Sequence, residues 1–431
     1  MEEKKYQKMI KQCIRCSICK WIPQVQIKSH EFATICPAID MYNFHPYSGG
    51  GKIILALALE LKKINPSSEL LDIVYKCTEC GGCAISCKYL NNLEPLEIIS
   101  ELRKKLVQEN KGPISEQKHY IKKVKDFNNP YGELHENRQE WVSHDIEIKE
   151  DANVLYFVGC TSSYRTKKIA NNTAKILNYA QINFQVMEDE VCCGSPLLRV
   201  GDKDSFIKCM EKNLDKIDDT EVDTVIFSCA GCYDTFKVDY YRERKYNFRV
   251  IHSIEFFNEL LKKGSLKLQN SIPLRATYHD PCHLGRNAER YKKWNGEIVD
   301  IMPLISIETP KKPKRVGQHG IYDAPRQVIE AIPELELVEM ERIREYTYCC
   351  GAGGGVKAAF PNFALHTAKN RIKEAESTEA DLLISACPFC MKNLKDGLKQ
   401  SKSNLRFFDV SELILMGLDK QELNNNLGDL L

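Results

Sequence analysis

Cysteines are the residues of this chain that can do chemistry, and their spacing says which chemistry. The 431 residues include nineteen cysteines, of which eighteen fall into four groups. Near the N-terminus Cys13, Cys16 and Cys19 stand at two-residue gaps, with Cys36-Pro37 further on, followed by Cys77, Cys80, Cys83 and Cys87. Two copies of a rarer set come next. The first is Cys160, the pair Cys192-Cys193, and Cys229 with Cys232; the second is Cys282, the pair Cys349-Cys350, and Cys387 with Cys390. Only Cys209 stands apart, and its place in a predicted helix suits a buried small hydrophobe. The length argues against a secreted disulfide scaffold, and the charged start Met1-Glu2-Glu3-Lys4-Lys5 does not read as a signal peptide. In a reducing compartment such spacings belong to metal ligands or redox motifs.

The run Cys77 to Cys87 has the spacing of bacterial ferredoxins. There three thiolates wrap one face of a [4Fe–4S] cube and the fourth crosses to a second cluster. Applied here, Cys13, Cys16, Cys19 and Cys87 hold one cubane, and Cys77, Cys80, Cys83 and Cys36 hold the other. Two departures matter: sixteen residues separate Cys19 from Cys36, and Lys88 rather than proline follows Cys87. The long excursion predicts an α-helical ferredoxin rather than the compact form. The bland alternative is a zinc-bound scaffold, but zinc sites usually use two Cys-x2-Cys knuckles separated by a loop.

Each later set holds five cysteines, one more than a cube needs. Adjacent cysteines point in different directions, so one can bind a terminal iron while its neighbour bridges two. Five ligands therefore suit an opened or split cluster. Gly194 and Gly351, which follow the pairs, let the backbone turn tightly against bulky sulfurs.

The elements that must position these groups follow from the pattern. Residues 1–105 carry the first eight cysteines among short helical stretches. Residues 106–150 are polar, with Gly112-Pro113 and Asn129-Pro-Tyr-Gly132 as turn signals, and read as a linker. Beyond them strand and helix alternate: a strand at Val154–Val158, a helix over 163–180, and strand candidates at 182–187, 223–228 and 248–251. This half repeats. Thr224-Val-Ile-Phe-Ser-Cys229-Ala-Gly-Cys232 matches Leu382-Leu-Ile-Ser-Ala-Cys387-Pro-Phe-Cys390, and Val191-Cys-Cys-Gly194 matches Tyr348-Cys-Cys-Gly351, at an offset of about 157. Cys160 and Cys282 differ by only 122, so the second copy carries about 35 extra residues before its cysteine pair. The predicted fold class is α/β. A mainly α-helical two-cluster ferredoxin domain (1–105) and a linker (106–150) precede a duplicated domain with parallel sheets, at 151–272 and 273–431. In each copy cysteines follow strand ends, where the loops of an open α/β sheet converge.

A net charge of +2 names no polyanionic partner and gives no reason to expect nucleic acid. The basic run Lys311-Lys312-Pro313-Lys314-Arg315 reads as a solvated loop, with a docking patch for an acidic partner as the alternative. The longest apolar run, Ile53–Leu59, is too short to span a bilayer. The expected location is the cytoplasm, with membrane association only through a partner.

The motifs Tyr278-His-Asp-Pro-Cys-His-Leu-Gly-Arg286, Tyr322-Asp-Ala-Pro-Arg326, Cys349-Cys-Gly-Ala-Gly-Gly-Gly355 and Cys387-Pro-Phe-Cys390 resemble the cysteine-rich CCG domain. A ferredoxin module ahead of two such domains resembles the D-type subunit of heterodisulfide reductase. The resemblance implies two noncubane [4Fe–4S] clusters beside the two cubanes. Cys160, Cys192, Cys193, Cys229 and Cys232 would hold one, and Cys282, Cys349, Cys350, Cys387 and Cys390 the other. It implies reduction of a small disulfide, that of coenzyme M and coenzyme B or a similar one. The electron-donating partner would be a b-type cytochrome membrane subunit or a flavin/iron–sulfur subunit. Iron–sulfur subunits of glycolate, lactate and glycerol-3-phosphate oxidoreductases share the architecture. The alternative is therefore a non-catalytic relay for an FAD-linked hydroxyacid dehydrogenase. Complete ligand sets in both copies favour disulfide cleavage, a two-electron reaction that two one-electron centres can share.

His283, directly after Cys282, is a candidate proton donor, or else a residue that positions the cluster loop. His279, Asp280 and His252 read as structural; Asp409 replaces His252 in the repeat. Arg286 and Arg326 are set either to meet an anionic substrate or to pair with local carboxylates. The glycines at 351–355 do not match a dinucleotide fingerprint.

Overall fold

A computed structural model describes residues 3–292, 294–302 and 305–426. The N-terminal part is helical: α1 (Glu3–Lys11), α2 (Pro37–Tyr42), α3 (Gly49–Glu60), α4 (Ser68–Tyr75), α5 (Gly82–Asn91) and α6 (Pro95–Gln108). Serine hydroxyls start two of these helices, Ser48 accepting from the Gly51 N–H and Ser67 from the Leu70 N–H. Their apolar faces close on a core of Tyr6, Ile10, Ile53, Val74, Ile98 and Leu102.

The stretch 106–150, expected to be a linker, is packed structure. It contains α7 (Ser115–Phe127), whose buried Tyr120, Ile121 and Val124 lie among exposed lysines, and it continues to a buried Trp141. All four side chains join the core of the first sheet. A narrow apolar stripe on one helix face is enough to seat it despite the polar composition.

The first α/β unit contains β1 (Val154–Phe157), α8 (Cys160–Tyr164), α9 (Lys167–Tyr179), α10 (Ser195–Leu198), α11 (Lys203–Asp218), β2 (Thr224–Phe227), α12 (Ala230–Asp234), α13 (Tyr241–Glu243), β3 (Arg249–His252) and α14 (Ser253–Lys263). Its strands pair in parallel in the order β1-β2-β3. The strand expected over 182–187 is only a single parallel bridge, Leu155 to Gln185. The second unit contains β4 (Arg275–Tyr278), β5 (Glu297–Met302), β6 (Ile305–Thr309), α15 (Asp323–Glu330), β7 (Glu336–Leu337), α16 (Val356–Ala359), α17 (Pro361–Glu376), β8 (Leu382–Ser385), α18 (Pro388–Ser401), β9 (Arg406–Asp409), α19 (Val410–Leu418) and α20 (Lys420–Asn425). Its parallel sheet runs β7-β4-β8-β9. The antiparallel pair β5-β6 lies within the extra residues of the second copy. The fold is thus mixed α/β, with a helical ferredoxin-like part and a duplicated parallel-sheet domain.

The two copies pack reciprocally. Helix α9 of the first lies against α19 of the second, while α14 of the first lies against α15 of the second. Because α9 corresponds to α15 and α14 to α19, this pattern is an approximate two-fold. It brings the C-terminal ends of both sheets to one place. Among the described residues no helix is long and apolar enough to cross a membrane.

A candidate iron–sulfur centre

The structure gathers the eight N-terminal cysteines into two groups. Cys13, Cys16 and Cys19 surround Cys87 closely enough to act on its thiol, which burial pushes up to about 12. The Gly50 N–H donates to Cys19 Sγ at 3.2 Å, and Asn91 Nδ2 approaches Cys16 Sγ at 3.8 Å. A side chain at Gly50 would put its Cβ 3.3 Å from Cys19 Sγ and 3.7 Å from Cys13 Sγ. Cys36 has Cys77 and Cys80 beside it, and Cys83 has Cys77, Cys80 and Cys36. The Lys52 ammonium is buried against this second group and donates to the Tyr47 carbonyl. Arg103, fully buried, donates to the carbonyls of Val74, Tyr75 and Cys77 and so fixes the loop that carries Cys77.

The ten thiols of the two later sets form one continuous chain. In the first copy Cys160 meets Cys192, Cys192 meets Cys193, Cys193 Sγ lies 3.4 Å from Cys232 Sγ, and Cys232 meets Cys229. Cys229 in turn meets Cys387 of the second copy. From Cys387 the chain continues through Cys390, Cys350 and Cys349 to Cys282. Cys349 also touches Cys80, which joins the second quintet to the ferredoxin part; Cys80, Cys282 and Cys349 pack as one buried cluster.

Local structure explains these positions. Cys160, Cys229 and Cys387 each stand within three residues of a strand end, at the start of the next helix. Glu190 accepts from the N–H groups of Val158 and Gly159, at 2.8 and 2.9 Å, and pairs with buried Arg138, whose guanidinium lies 3.9 Å from Cys160 Sγ. The glycine run after the second cysteine pair is a close-approach device. A Cβ at Gly353 would lie 2.5 Å from the Thr78 carbonyl, and one at Gly354 2.3 Å from the Cys77 carbonyl.

The donors fit iron–sulfur groups. All these thiols are free, all ten in the quintets are buried, and glycines keep space open beside them; a Cβ at Gly159 would sit 3.0 Å from Cys232 Sγ. Buried Arg138, Arg286 and Lys52 supply positive charge to sites that anionic sulfur would fill. Ligation takes thiolates, and burial alone would keep most of these thiols protonated.

His283 Nδ1 sits 2.5 Å from Asp234 Oδ2, on α12 of the first copy, and Arg199 donates to the same carboxylate at 3.1 Å. This candidate thus bridges the copies. Among the described residues Arg286 pairs with no carboxylate. It donates to the carbonyls of Cys80, at 2.7 Å, and Glu345, at 2.8 Å. Arg326 pairs with both oxygens of Asp280, at 2.8 and 3.0 Å, and with Glu339. His252 and Asp409 each cap the helix that follows. Cys209 lies on α11, its Cβ 3.3 Å from where a Cβ on Gly194 would be.

His279, expected to be structural, has a ring nitrogen within 4.8 Å of the sulfurs of Cys350 and Cys390. The available signal is its place directly after β4, on the strand end that leads to Cys282. Tyr131, within the presumed linker, has no such signal in the sequence: its hydroxyl bonds Thr161 at 2.9 Å, beside Cys160 and Cys229.

A family model described as a CCG cysteine-rich domain matches residues 154–237 and 311–395, and one described as a 4Fe-4S dicluster domain matches 9–90. The chain is 35% identical over 416 residues to the D subunit of dihydromethanophenazine:CoB–CoM heterodisulfide reductase from Methanosarcina acetivorans, covering 94% of this chain and 93% of that one. The B subunit of fumarate reductase (CoM/CoB) from Methanothermobacter marburgensis is 29% identical over 344 residues, 80% of this chain and 61% of that one. A crystal structure of a hypothetical protein from Helicobacter pylori has a similar fold, with TM-score 0.51 and 12% identity over 88% of this chain and 70% of that one.

Proposed function

This chain belongs to the family of heterodisulfide reductase D subunits, and from that premise we propose that it is the disulfide-cleaving iron–sulfur subunit of a larger reductase. Two cubane [4Fe–4S] clusters sit at Cys13, Cys16, Cys19 with Cys87 and at Cys77, Cys80, Cys83 with Cys36. Two noncubane clusters sit in the two cysteine quintets. When bound, these groups supply electrons one at a time. The reaction takes R–S–S–R′, two electrons and two protons to RSH and R′SH; the sulfur–sulfur bond breaks and each sulfur gains one electron and one proton. The substrate is the disulfide of coenzyme M and coenzyme B or a similar small disulfide. The electrons come from a partner subunit, a b-type cytochrome or a flavin/iron–sulfur protein, consistent with the relatives being subunits of multi-subunit reductases.

The single observation that supports this reading most is the contact of Cys229 with Cys387. It joins the two quintets, so groups held by both would be near enough to act on one disulfide. The chain's own groups then have definite tasks. Burial of the quintets excludes water. The His283–Asp234 pair, with Arg199 behind it, holds a proton between the copies. Two complete quintets do not favour a passive relay for a hydroxyacid dehydrogenase.

Anaerobic purification, iron and sulfide counting, and reduction of a small disulfide by a reduced viologen dye test the reading together. About sixteen irons per chain and stoichiometric thiol release are expected. Zinc in place of iron, or iron-loaded protein that leaves every disulfide intact, overturns it.

A further inference from the structure

The approximate two-fold creates two seams between the copies, and their charges are inverted. At the first seam His283, which follows the first cysteine of the second quintet, bonds Asp234, two residues beyond the last cysteine of the first. That seam is closed. At the second seam the residue that follows the first cysteine of the first quintet is Thr161, and the counterpart of Asp234 is Lys392. They do not meet, because Tyr131 stands between them. Its hydroxyl bonds Thr161 at 2.9 Å, and its ring lies beneath Arg165 at 4.4 Å and Lys392 at 5.3 Å.

A cavity of about 630 Å³ opens there, between the end of α8 and the start of α9 on one side and α18 and β9 on the other. Six of its lining residues are cationic and two, Asp396 and Glu412, are acidic. Both acids are committed: Asp396 pairs with Lys357, and Glu412 with Lys168. Arg165 pairs with Glu133, and Lys167 with Glu140. Among the described residues Lys392, Lys395 and Arg406 form no ion pair, and Arg406 Nη1 is buried with no hydrogen-bond partner at all. Lys392 and Arg406 are partly buried and Lys395 is exposed, so the cavity carries an excess of positive charge that an anion can join. Tyr131 has Arg165 and Lys392 of this cavity over its ring and lies near enough to Cys160 and Cys229 to feel their charge.

We propose that this second seam is the substrate's side of the molecule, and that the cavity binds an anionic group (carboxylate, sulfonate or phosphate) carried by one half of the disulfide. The inference rests on the disulfide-cleaving reading and adds to it a face, a charge and three residues. Lys392, Lys395 and Arg406 grip the anion, Tyr131 forms the wall between it and the thiols, and the bond to be cut reaches inward to where Cys229 meets Cys387.

The test uses the cluster-loaded protein, a reduced viologen as electron source, and three disulfides of similar length: dithiodipropionate (anionic), hydroxyethyl disulfide (neutral) and cystamine (cationic). The native protein is expected to favour dithiodipropionate in KM. In Lys392→Asp, which copies the charge of the closed seam, KM for dithiodipropionate rises at least about tenfold, that for cystamine falls, and that for hydroxyethyl disulfide stays within about twofold. If Lys392→Asp does not fold, Lys392→Gln is expected to weaken the anion preference alone, with unchanged iron content. Equal effects on all three disulfides, or none, overturn the inference. If no disulfide is turned over by the native protein, the reaction reading fails, and calorimetric binding of dithiodipropionate decides the cavity separately. Binding lost in Lys392→Asp supports it; absent or unaltered binding overturns it.

Discussion

His279 makes the two quintets chemically unequal. Arg371 Nε donates to its Nδ1 at 3.1 Å, and a guanidinium has nothing with which to accept, so the ring proton sits on Nε2. Burial and the Arg371 charge drive its pKa down to about 3, which leaves the ring neutral. The ring of His279, which has a nitrogen within 4.8 Å of the Cys350 and Cys390 sulfurs, therefore carries an N–H donor at Nε2. At the matching position of the first copy stands Phe157, which has no donor. Hydrogen bonds to cluster sulfurs stabilise the more negative, reduced state. Replacing the donor, as in His279→Phe, is expected to lower the midpoint of the second-quintet centre. A tenfold change in the equilibrium is about 59 mV for one electron. An EPR-monitored redox titration reads this, His279→Asn recovers part of the shift, and an unmoved midpoint refutes the role. Gly159 gives a complementary prediction. Its φ is +76°, and a Cβ would press on Cys232 Sγ at 3.0 Å. Gly159→Ala should therefore leave about four irons per chain missing while the ferredoxin part stays loaded.

At the scale of elements, strands aim the thiols and helix caps hold the strand ends. His252 and Asp409 occupy the same repeat position, and their difference in type argues against shared chemistry. Both close a capping box, His252 with Glu255 and Asp409 with Glu412. Asp409→Ala should cost about 1 kcal/mol, read as a lower Tm. Burial raises the Asp409 carboxyl to about 7. The folded state thus binds this proton more tightly than the unfolded chain, and its contribution to stability is full below about pH 4 and is lost as pH rises through 7. Asp409→Asn, which keeps a capping oxygen without the charge, should match the native Tm at pH 5 and exceed it at pH 8. Equal differences at both values would exclude buried ionisation as the cause. The alternation of strand and helix and the strand-end cysteines were legible because parallel sheets leave apolar runs in the sequence. Helix α7 was not, since three buried apolar side chains among lysines look like a linker until the sheet they cover is known. The hairpin β5-β6 shows in the sequence only as a surplus of residues.

At the scale of the molecule, the order of the thiol groups sets the path that the proposed electron transfer would follow. Spacing grouped all eighteen cysteines by type but not by neighbour, because adjacency between groups is a tertiary fact. Two contacts supply it: Cys80 with Cys349, and Cys229 with Cys387. The resulting order runs from the quartet of Cys13, Cys16, Cys19 and Cys87, through that of Cys36, Cys77, Cys80 and Cys83, to the second quintet and then the first. Among the described residues the one exposed thiol of this line is Cys16, at its outer end, whereas the quintet cysteines are buried. Ile14 (68% exposed), Phe44 (61%) and Leu90 (65%) surround that end, and the Lys314 ammonium of the basic run donates to the Tyr89 carbonyl beside it. On the proposed reading a protein donor hands electrons to the outer quartet, while a small dye diffuses to other surfaces as well. Removing that quartet with Cys13→Ala and Cys16→Ala should slow disulfide reduction driven by a reduced ferredoxin by at least about tenfold, a barrier change near 1.4 kcal/mol or more, and leave the viologen-driven rate within about twofold. Stopped-flow traces of both donors on one preparation separate the cases. Equal slowing would mean that the inner centres depend on the outer one for their integrity, and an unaffected ferredoxin rate would move the entry point to the second quartet or the quintets themselves.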